Sequence, residues 1–238
     1  MKLLQHILYI NLEHREDRKQ HFLGQIDKLN QVIAENQFGE PLQPERFNAI
    51  HLPFHGALGA SKSHLECLKI ARERKYPQVC IMEDDVLFTD PQLFLTQVKK
   101  FQDEFKTEDW DILMLGGNNK RPYVEVNDYC IRSKDIQTAT CYVIQQHYYD
   151  TLIQNLEESS KNLEQHPLRR YAYSLDIYWK RLQRTGKWFL IIPLTVSQLE
   201  GFSDIEKKQV NYTIDLLSIE RVSKRRLGEH FGTIQPNR

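Results

Sequence analysis

Short apolar runs rich in β-branched and aromatic residues alternate along this chain with segments whose apolar residues recur every three or four positions. The runs are "HILYINL" (6–12), "QVCIMEDDV" (78–86), "DWDILMLGG" (109–117), "TATCYVIQ" (138–145) and "WFLIIP" (188–193). Each has the length of a buried strand. Between them Phe22, Leu23, Ile26, Leu29 and Ile33 predict a helix over 15–34, and Leu65, Leu68 and Ala71 predict another over 61–76. "TDP" opens a helix running to about residue 105, "HYYDTLIQNL" is helical, and a further helix is expected around 174–184. A glycine and two prolines make 36–50 a loop leading to a short strand. Strands alternating with helices predict an α/β fold, with a mainly parallel central sheet flanked by helices. No repeat, low-complexity stretch or linker divides the 238 residues, so a single domain is expected over 1–238.

Composition narrows the function. With 40% apolar residues the chain can bury a sizeable core. Lys plus Arg balances Asp plus Glu at 32 each, which removes the bulk electrostatic reason to expect a nucleic-acid partner. The mean hydropathy of -0.58 and the lack of a long apolar segment argue against a membrane span. The first residues, "MKLLQHILYINLEHRED", turn charged after ten positions without a small-residue cleavage site, so they read as a first strand rather than a leader. Cys67, Cys80, Cys130 and Cys141 lack CxxC spacing, which excludes zinc-finger and redox motifs and suits free thiols in a reducing, cytoplasmic compartment. The basic run Lys224, Arg225 and Arg226 is a solvated face or a peripheral contact with an anionic membrane surface.

The chemistry-bearing residues cluster where strands end. In open α/β sheets, ligands bind beyond the carboxyl ends of the strands. The first strand ends in Asn11, with Arg15 and Arg18 just beyond. Another ends in Glu83-Asp84-Asp85, another in Gly116-Gly117-Asn118, and Asp176 opens a later helix. Three adjacent carboxylates beside apolar residues need a solvated turn or a cation. In extended backbone Glu83 and Asp85 share one side, and two such carboxylates suit Mg²⁺ or Mn²⁺ completed by water and phosphates. Arg15 and Arg18, three apart, can hold a diphosphate, or pair with Glu13, Glu16 or Asp17 on a solvated face. Ser63 and His64 follow "GALGA", whose glycines permit close backbone approach, although His64 can equally be a buried structural histidine. Asp176 alone can be no more than a charge at a helix start.

Taken in order, these pieces resemble glycosyltransferase family 25, the lipopolysaccharide and procollagen galactosyltransferase-like group. The resemblance rests on "YINLEHREDR" (9–18), "GALGASKSH" (56–64), "IMEDDV" (81–86), "DWDILMLGG" (109–117), "TATCYVI" (138–144), "SLDIYWKRLQ" (174–183) and "SQLEGFSDIEK" (197–207). It spans about residues 5 to 210. Ala60 stands where the family usually has Cys, and Thr140-Cys141 replaces its more usual pair before the Tyr. The resemblance implies a GT-A-like fold, with a Rossmann-like donor-binding half at about 1–118 and an acceptor-side half at about 119–238. It further implies inverting transfer of a hexose from a nucleotide sugar, with UDP-galactose or UDP-glucose foremost. Asn11, Leu12, Arg15, Arg18, Ser63, His64, Glu83, Asp84, Gly116 and Gly117 would bind the donor, while Asp85 and Glu83 would hold Mn²⁺ or Mg²⁺. Asp176 would be the catalytic base, with Asp204 in reserve. The acceptor would be a surface glycan or a hydroxylysine-type protein side chain, and the setting a bacterial or viral-type cytoplasm. Two rivals share these features: a metal-dependent phosphohydrolase, and a non-catalytic sugar-binding protein that keeps the fold.

Overall fold

The computed structural model describes residues 1–219, and the basic run at 224–226 lies outside them. The first half of the chain gives β1 (Ile7–Asn11), α1 (Glu16–Asn36), β2 (Glu45–Asn48), α2 (Gly56–Glu73), β3 (Gln78–Glu83), β4 (Val86–Phe88), α3 (Pro91–Glu104) and β5 (Ile112–Met114). A meander of short strands follows: β6 (Asn118–Asn119), β7 (Tyr123–Glu125), β8 (Cys130–Ser133) and β9 (Ile136–Gln137). Next come β10 (Cys141–Gln145), α4 (Tyr149–Gln165), and the single turns α5 (Arg170–Tyr173), α6 (Leu175–Tyr178) and α7 (Lys180–Gln183). The described chain ends with β11 (Trp188–Ile191), β12 (Val196–Gln198), the hairpin β13 (Gly201–Ser203) and β14 (Lys208–Val210), and α8 (Thr213–Leu216).

One eight-stranded sheet runs β2-β1-β3-β10-β5-β11-β8-β7. Only β10 and β8 run against the other six strands, so the sheet is mainly parallel in direction, as expected. Strand β10 sits between β3 and β5, so segments on both sides of residue 118 share one sheet.

Side-chain alternation explains the layering. Tyr9, Cys80, Met82, Leu113, Cys141 and Val143 face α1 and α3, packing with Phe22, Leu29, Phe94 and Phe101. Their sequence neighbours Leu8, Ile10, Val79, Ile81, Met114, Tyr142 and Ile144 face α2 and α4, against Leu65, Leu68, Leu152 and Leu156. Strands covered on both sides read as continuous apolar runs for this reason. Each such buried side chain contributes roughly 1.5–3 kcal/mol relative to exposure. Helix α3 starts where Asp90 accepts from the Leu93 N–H, with Pro91 in its first turn. All four cysteines are buried and free.

Three local expectations change. Helix α2 begins at Gly56 rather than Ser61, because Gly59 lies inside it against the Ile50 carbonyl. A Cβ there would stand 2.5 Å from that oxygen, so the glycine allows the helix and the loop after β2 to touch. The strand expected over 78–86 stops at Glu83, Asp84 and Asp85 form a turn, and β4 pairs with β12 instead. The helix expected over 174–184 is broken into the turns α6 and α7.

Candidate active site

The chain leaves β1 for β2 on one side and returns to β3 on the other, so the connections diverge at the carboxyl end of β1. Such a switch point leaves a crevice above the sheet. A cavity of about 490 Å³ opens there, lined by residues following β1, β2 and β3, by the segment before β10, and by the α6 region. The hairpin β13–β14 contributes Ser203, Lys207 and Val210 to its wall.

At its charged end, the acidic triplet finds a cation within the protein. Arg18 Nη1 donates to Asp84 Oδ1 at 3.2 Å and Asp85 Oδ2 at 3.1 Å, and its Nη2 donates to the Phe202 carbonyl at 3.0 Å. Arg15 Nη1 donates to Asp204 Oδ2 at 2.6 Å, while its Nε and Nη2 grip both oxygens of Asp17. Arg15 thus makes the expected pair with Asp17, while Arg18 turns inward onto Asp84 and Asp85. Asp84 Oδ2 accepts from Asn11 Nδ2 at 2.7 Å, while its Oδ1 shares Arg18 with Asp85. Burial raises its pKa, with Asn11 and Arg18 opposing. Asp85 is pushed up to about 7 by burial and then by Glu83, against the pull of Arg18. One guanidinium therefore leaves the triplet with an excess of negative charge.

Gln198 of β12 marks where a second cation would be welcome. Its Nε2 donates to Glu83 Oε2 at 3.1 Å and contacts Asp85 Oδ1 at 3.4 Å, so both carboxylates converge on one point despite the turn. A Mg²⁺ or Mn²⁺ ion, which takes only one or two protein carboxylates beside waters and phosphates, fits this donor pair. No group of three or more His, Cys, Asp or Glu side chains arranged for a metal exists among the described residues. The remaining coordination positions would fall to water and to a bound ligand.

At the neutral end, Asp176 Oδ2 accepts from the Thr138 N–H at 3.0 Å, which orients the carboxylate. Burial raises the Asp176 pKa, opposed by that hydrogen bond and reinforced by Glu83. Thr138 adopts φ 78, a left-handed backbone for a β-branched residue. Such conformations cost roughly 1–3 kcal/mol and persist where the surroundings enforce them.

Of the residues singled out from sequence, Leu12, Arg15, Arg18, Ser63, Glu83 and Asp84 line the cavity, as do Asp85, Asp176 and Asp204. Four stand behind its wall. Asn11 is buried and braces Asp84 and the Arg15 carbonyl. His64 is 1% exposed, its Nδ1 bonded to the Tyr142 hydroxyl at 2.7 Å and its Nε2 3.5 Å from Glu83 Oε1, so it supports Glu83 from below. Gly116 makes room for Val196 and Gly117 for Ile136, so these glycines admit protein side chains rather than an open ligand face. Ser63 lines the cavity yet spends its hydroxyl on the Ile50 N–H and the Gly59 carbonyl, fixing the loop after β2. Gln198, Thr138 and Phe202 lie within the quoted motifs 138–144 and 197–207 but were not singled out as site residues.

No protein-family pattern matches the chain, and no curated protein matches it in sequence. Among solved structures, similarity extends to a glycosyltransferase involved in glycosylation of the major capsid of PBCV-1, at 7% identity over 77% of this chain and 79% of that one, with a TM-score of 0.49. A Drosophila β-1,4-galactosyltransferase 7 mutant, in complex with manganese, UDP-Gal and xylobiose, aligns at 9% identity over 62% of this chain and 51% of that one, with a TM-score of 0.35. The 4-diphosphocytidyl-2C-methyl-D-erythritol synthase of Anaerococcus prevotii aligns at 11% identity over 85% of this chain and 95% of that one, with a TM-score of 0.40. Glycosyltransferases and nucleotidyltransferases thus both occur among the structural neighbours. Among the described residues, no helix is long and apolar enough to cross a membrane.

Proposed function

We propose that this chain is a GT-A-like, inverting glycosyltransferase that moves a hexose from a nucleoside diphosphate sugar, with UDP-galactose or UDP-glucose first among donors. The observation that carries the reading is the union, in one cavity at the sheet's switch point, of two arginines, the Glu83–Asp85 carboxylate pair and the separate acid Asp176. The order of motifs resembling family 25 supports the same reading.

Arg15 and Arg18 would exchange their present carboxylate and carbonyl partners for the diphosphate, using charge-assisted bonds of the same kind. Glu83 and Asp85 would hold Mn²⁺ or Mg²⁺, which when bound neutralises charge on the departing diphosphate. Asp176, held in orientation by Thr138 and with its pKa raised by burial, would take the proton of the acceptor hydroxyl as that oxygen attacks the anomeric carbon. The bond from that carbon to the diphosphate oxygen breaks, and the nucleoside diphosphate leaves with the pair of electrons. Asp204 serves poorly as a base because it stands at the charged end of the cavity, on an arginine that would hold the diphosphate. It is better suited to holding the hairpin down. The acceptor would be a glycan or a hydroxylated protein side chain, whose hydroxyl suits this chemistry.

Thermal unfolding with UDP, GDP and CMP, each with and without Mn²⁺, tests the reading. A ligand at 100 times its Kd stabilises by about 2.7 kcal/mol, which moves Tm by roughly 5–10 °C in a chain of this size. A Mn²⁺-dependent rise with one nucleoside diphosphate is expected. No rise with any of them, or hydrolysis of generic phosphoesters in its place, overturns it.

A further inference from the structure

Of the 11 tyrosines in the chain, Tyr171 is the one whose side chain has no hydrogen bond and no ring contact among the described residues. Every other meets a ring, a cation or a hydrogen-bond partner, as Tyr9 does with Phe22, Tyr142 with His64 and Tyr212 with Glu206. Tyr171 is 72% exposed and lines the cavity. A lone exposed ring on an open surface carries no meaning. This one stands on the cavity wall, on a turn pinned by the residues to either side of it in sequence. Arg170 Nη1 donates to the Ile205 carbonyl at 3.4 Å, Arg169 lies over the Tyr173 ring, and the Tyr173 carbonyl accepts from the Ser159 hydroxyl at 2.7 Å. Of the other rings lining the cavity, His51 lies against His14 and Tyr212 is bonded to Glu206, so Tyr171 alone offers an open face.

We propose that the Tyr171 ring is the platform on which a sugar ring of the acceptor rests, so that the acceptor is a glycan rather than a protein side chain; this rests on the glycosyltransferase reading. The C–H face of a pyranose is apolar with a partial positive charge, and the face of an aromatic ring is the negative part of its quadrupole. Stacking removes both faces from water while the phenol hydroxyl stays hydrated. A hydroxylysine-type side chain is a flexible stem without such a face. Position selects the acceptor over the donor. Inversion puts the attacking hydroxyl on the side of the anomeric carbon opposite the diphosphate, and Asp176 must reach that hydroxyl. Asp176 follows Tyr171 by five residues, and both line the cavity. Five extended residues span at most about 17 Å, and the helical turn Arg170–Tyr173 shortens that to the reach of a short oligosaccharide. The ring therefore stands on the side where the acceptor enters, while Arg15, Arg18 and Asp85 mark the diphosphate side. A nucleobase also stacks on aromatic rings, and the affinity for UDP separates the two.

The test measures transfer from the better of UDP-galactose and UDP-glucose, with Mn²⁺, onto methyl galactoside, lactose, cellobiose and a hydroxylysine peptide, beside the dissociation constant of UDP. Wild type is compared with Tyr171→Ala, which removes the platform, and Tyr171→Phe, which keeps the ring without its hydroxyl. Wild type is expected to use at least one of the sugars. Tyr171→Ala should raise KM for that sugar by about 2- to 10-fold, the range for an aromatic pair, with UDP affinity held within about twofold. Tyr171→Phe should stay within about twofold of wild type in both quantities. Since the side chain is exposed, neither substitution should lower Tm appreciably. An unchanged KM in Tyr171→Ala, or a Tyr171→Phe variant as impaired as Tyr171→Ala, overturns the assignment while leaving the transferase reading intact. So does a wild type that binds UDP yet uses none of the sugars, whether or not it uses the peptide. A loss of UDP affinity in Tyr171→Ala equal to the rise in KM would give the ring to the nucleoside and overturn the assignment as well. Wild type that binds no UDP and transfers to nothing overturns both.

Discussion

At the charged end of the cavity the arginines and acids are partnered; at the other end one buried oxygen has no partner among the described residues. Arg15 and Arg18 are held by Asp17, Asp204, Asp84, Asp85 and the Phe202 carbonyl. Asn118 Oδ1 is buried and has no partner among the described residues, near a strained Thr138. The difference follows from the range of the forces. Opposite charges on long side chains can reach one another and lower their own energy without a ligand, so a ligand there must compete. The charged end should thus set affinity and its dependence on metal, and the neutral end should set which ring is accepted and how fast it reacts.

The largest expected effect lies at the neutral end. Asp176→Asn should lower sugar transfer by about 10²- to 10⁴-fold, the usual range for removing a general base, with UDP affinity little changed. Full transfer by a variant that binds UDP normally would remove Asp176 from the chemistry. At the charged end, Asp85→Asn should weaken Mn²⁺-dependent UDP binding by about 10- to 100-fold, read by calorimetry with and without the metal. Equal UDP affinity with and without Mn²⁺ in wild type would show that the carboxylate pair serves some other end.

A smaller effect tests the electrostatics of the same residue without any ligand. The folded-state pKa of Asp85 stands at about 7, above that of an unfolded aspartate, so between those values the folded chain holds a proton the unfolded chain lacks. The contribution of Asp85 to the stability of the metal-free protein should therefore be fully present below the ordinary carboxylate range and be lost as pH rises through about 7. Asp85→Asn should flatten that fall and raise Tm at pH 8. A Tm unchanged by the substitution at both pH 5 and pH 8 would mean that Arg18 already neutralises the site. The smallest effect belongs to Asp204→Ala, which frees one arm of Arg15 and loosens the hairpin. A partly exposed ion pair is worth about 0.2–1 kcal/mol, so UDP affinity should rise by no more than about fivefold. A loss of UDP affinity would show that Asp204 builds the pocket rather than competing for its arginine.

The acidic triplet shows how far the sequence could be read. Three carboxylates in an apolar setting demand a turn or a cation, and the structure supplies both: a turn at Asp84–Asp85 and the guanidinium of Arg18. Alternation set Glu83 with Asp85 and Asp84 apart; in the turn Gln198 touches the first two, while Arg18 joins Asp84 to Asp85. His64 was legible only as a choice, since spacing cannot tell a histidine in a cavity from one beneath it. Gly116 and Gly117 read as an opening for a ligand, yet Val196 and Ile136, distant in sequence, occupy the space they leave.

The sequence by itself determined the α/β layering, because β-strands covered on both sides must be continuously apolar while their helices are apolar on one stripe. It also determined that chemistry gathers at the strand ends, where the apolar runs stop in acids, arginines and glycines. Only the tertiary structure decided which of those residues face the cavity and which brace its wall. It alone revealed Gln198 between the two carboxylates, Asp204 on Arg15 and the unmet oxygen of Asn118. Those facts depend on neighbours up to 189 positions apart, as in Arg15 and Asp204, and such contacts leave no periodic trace along the chain.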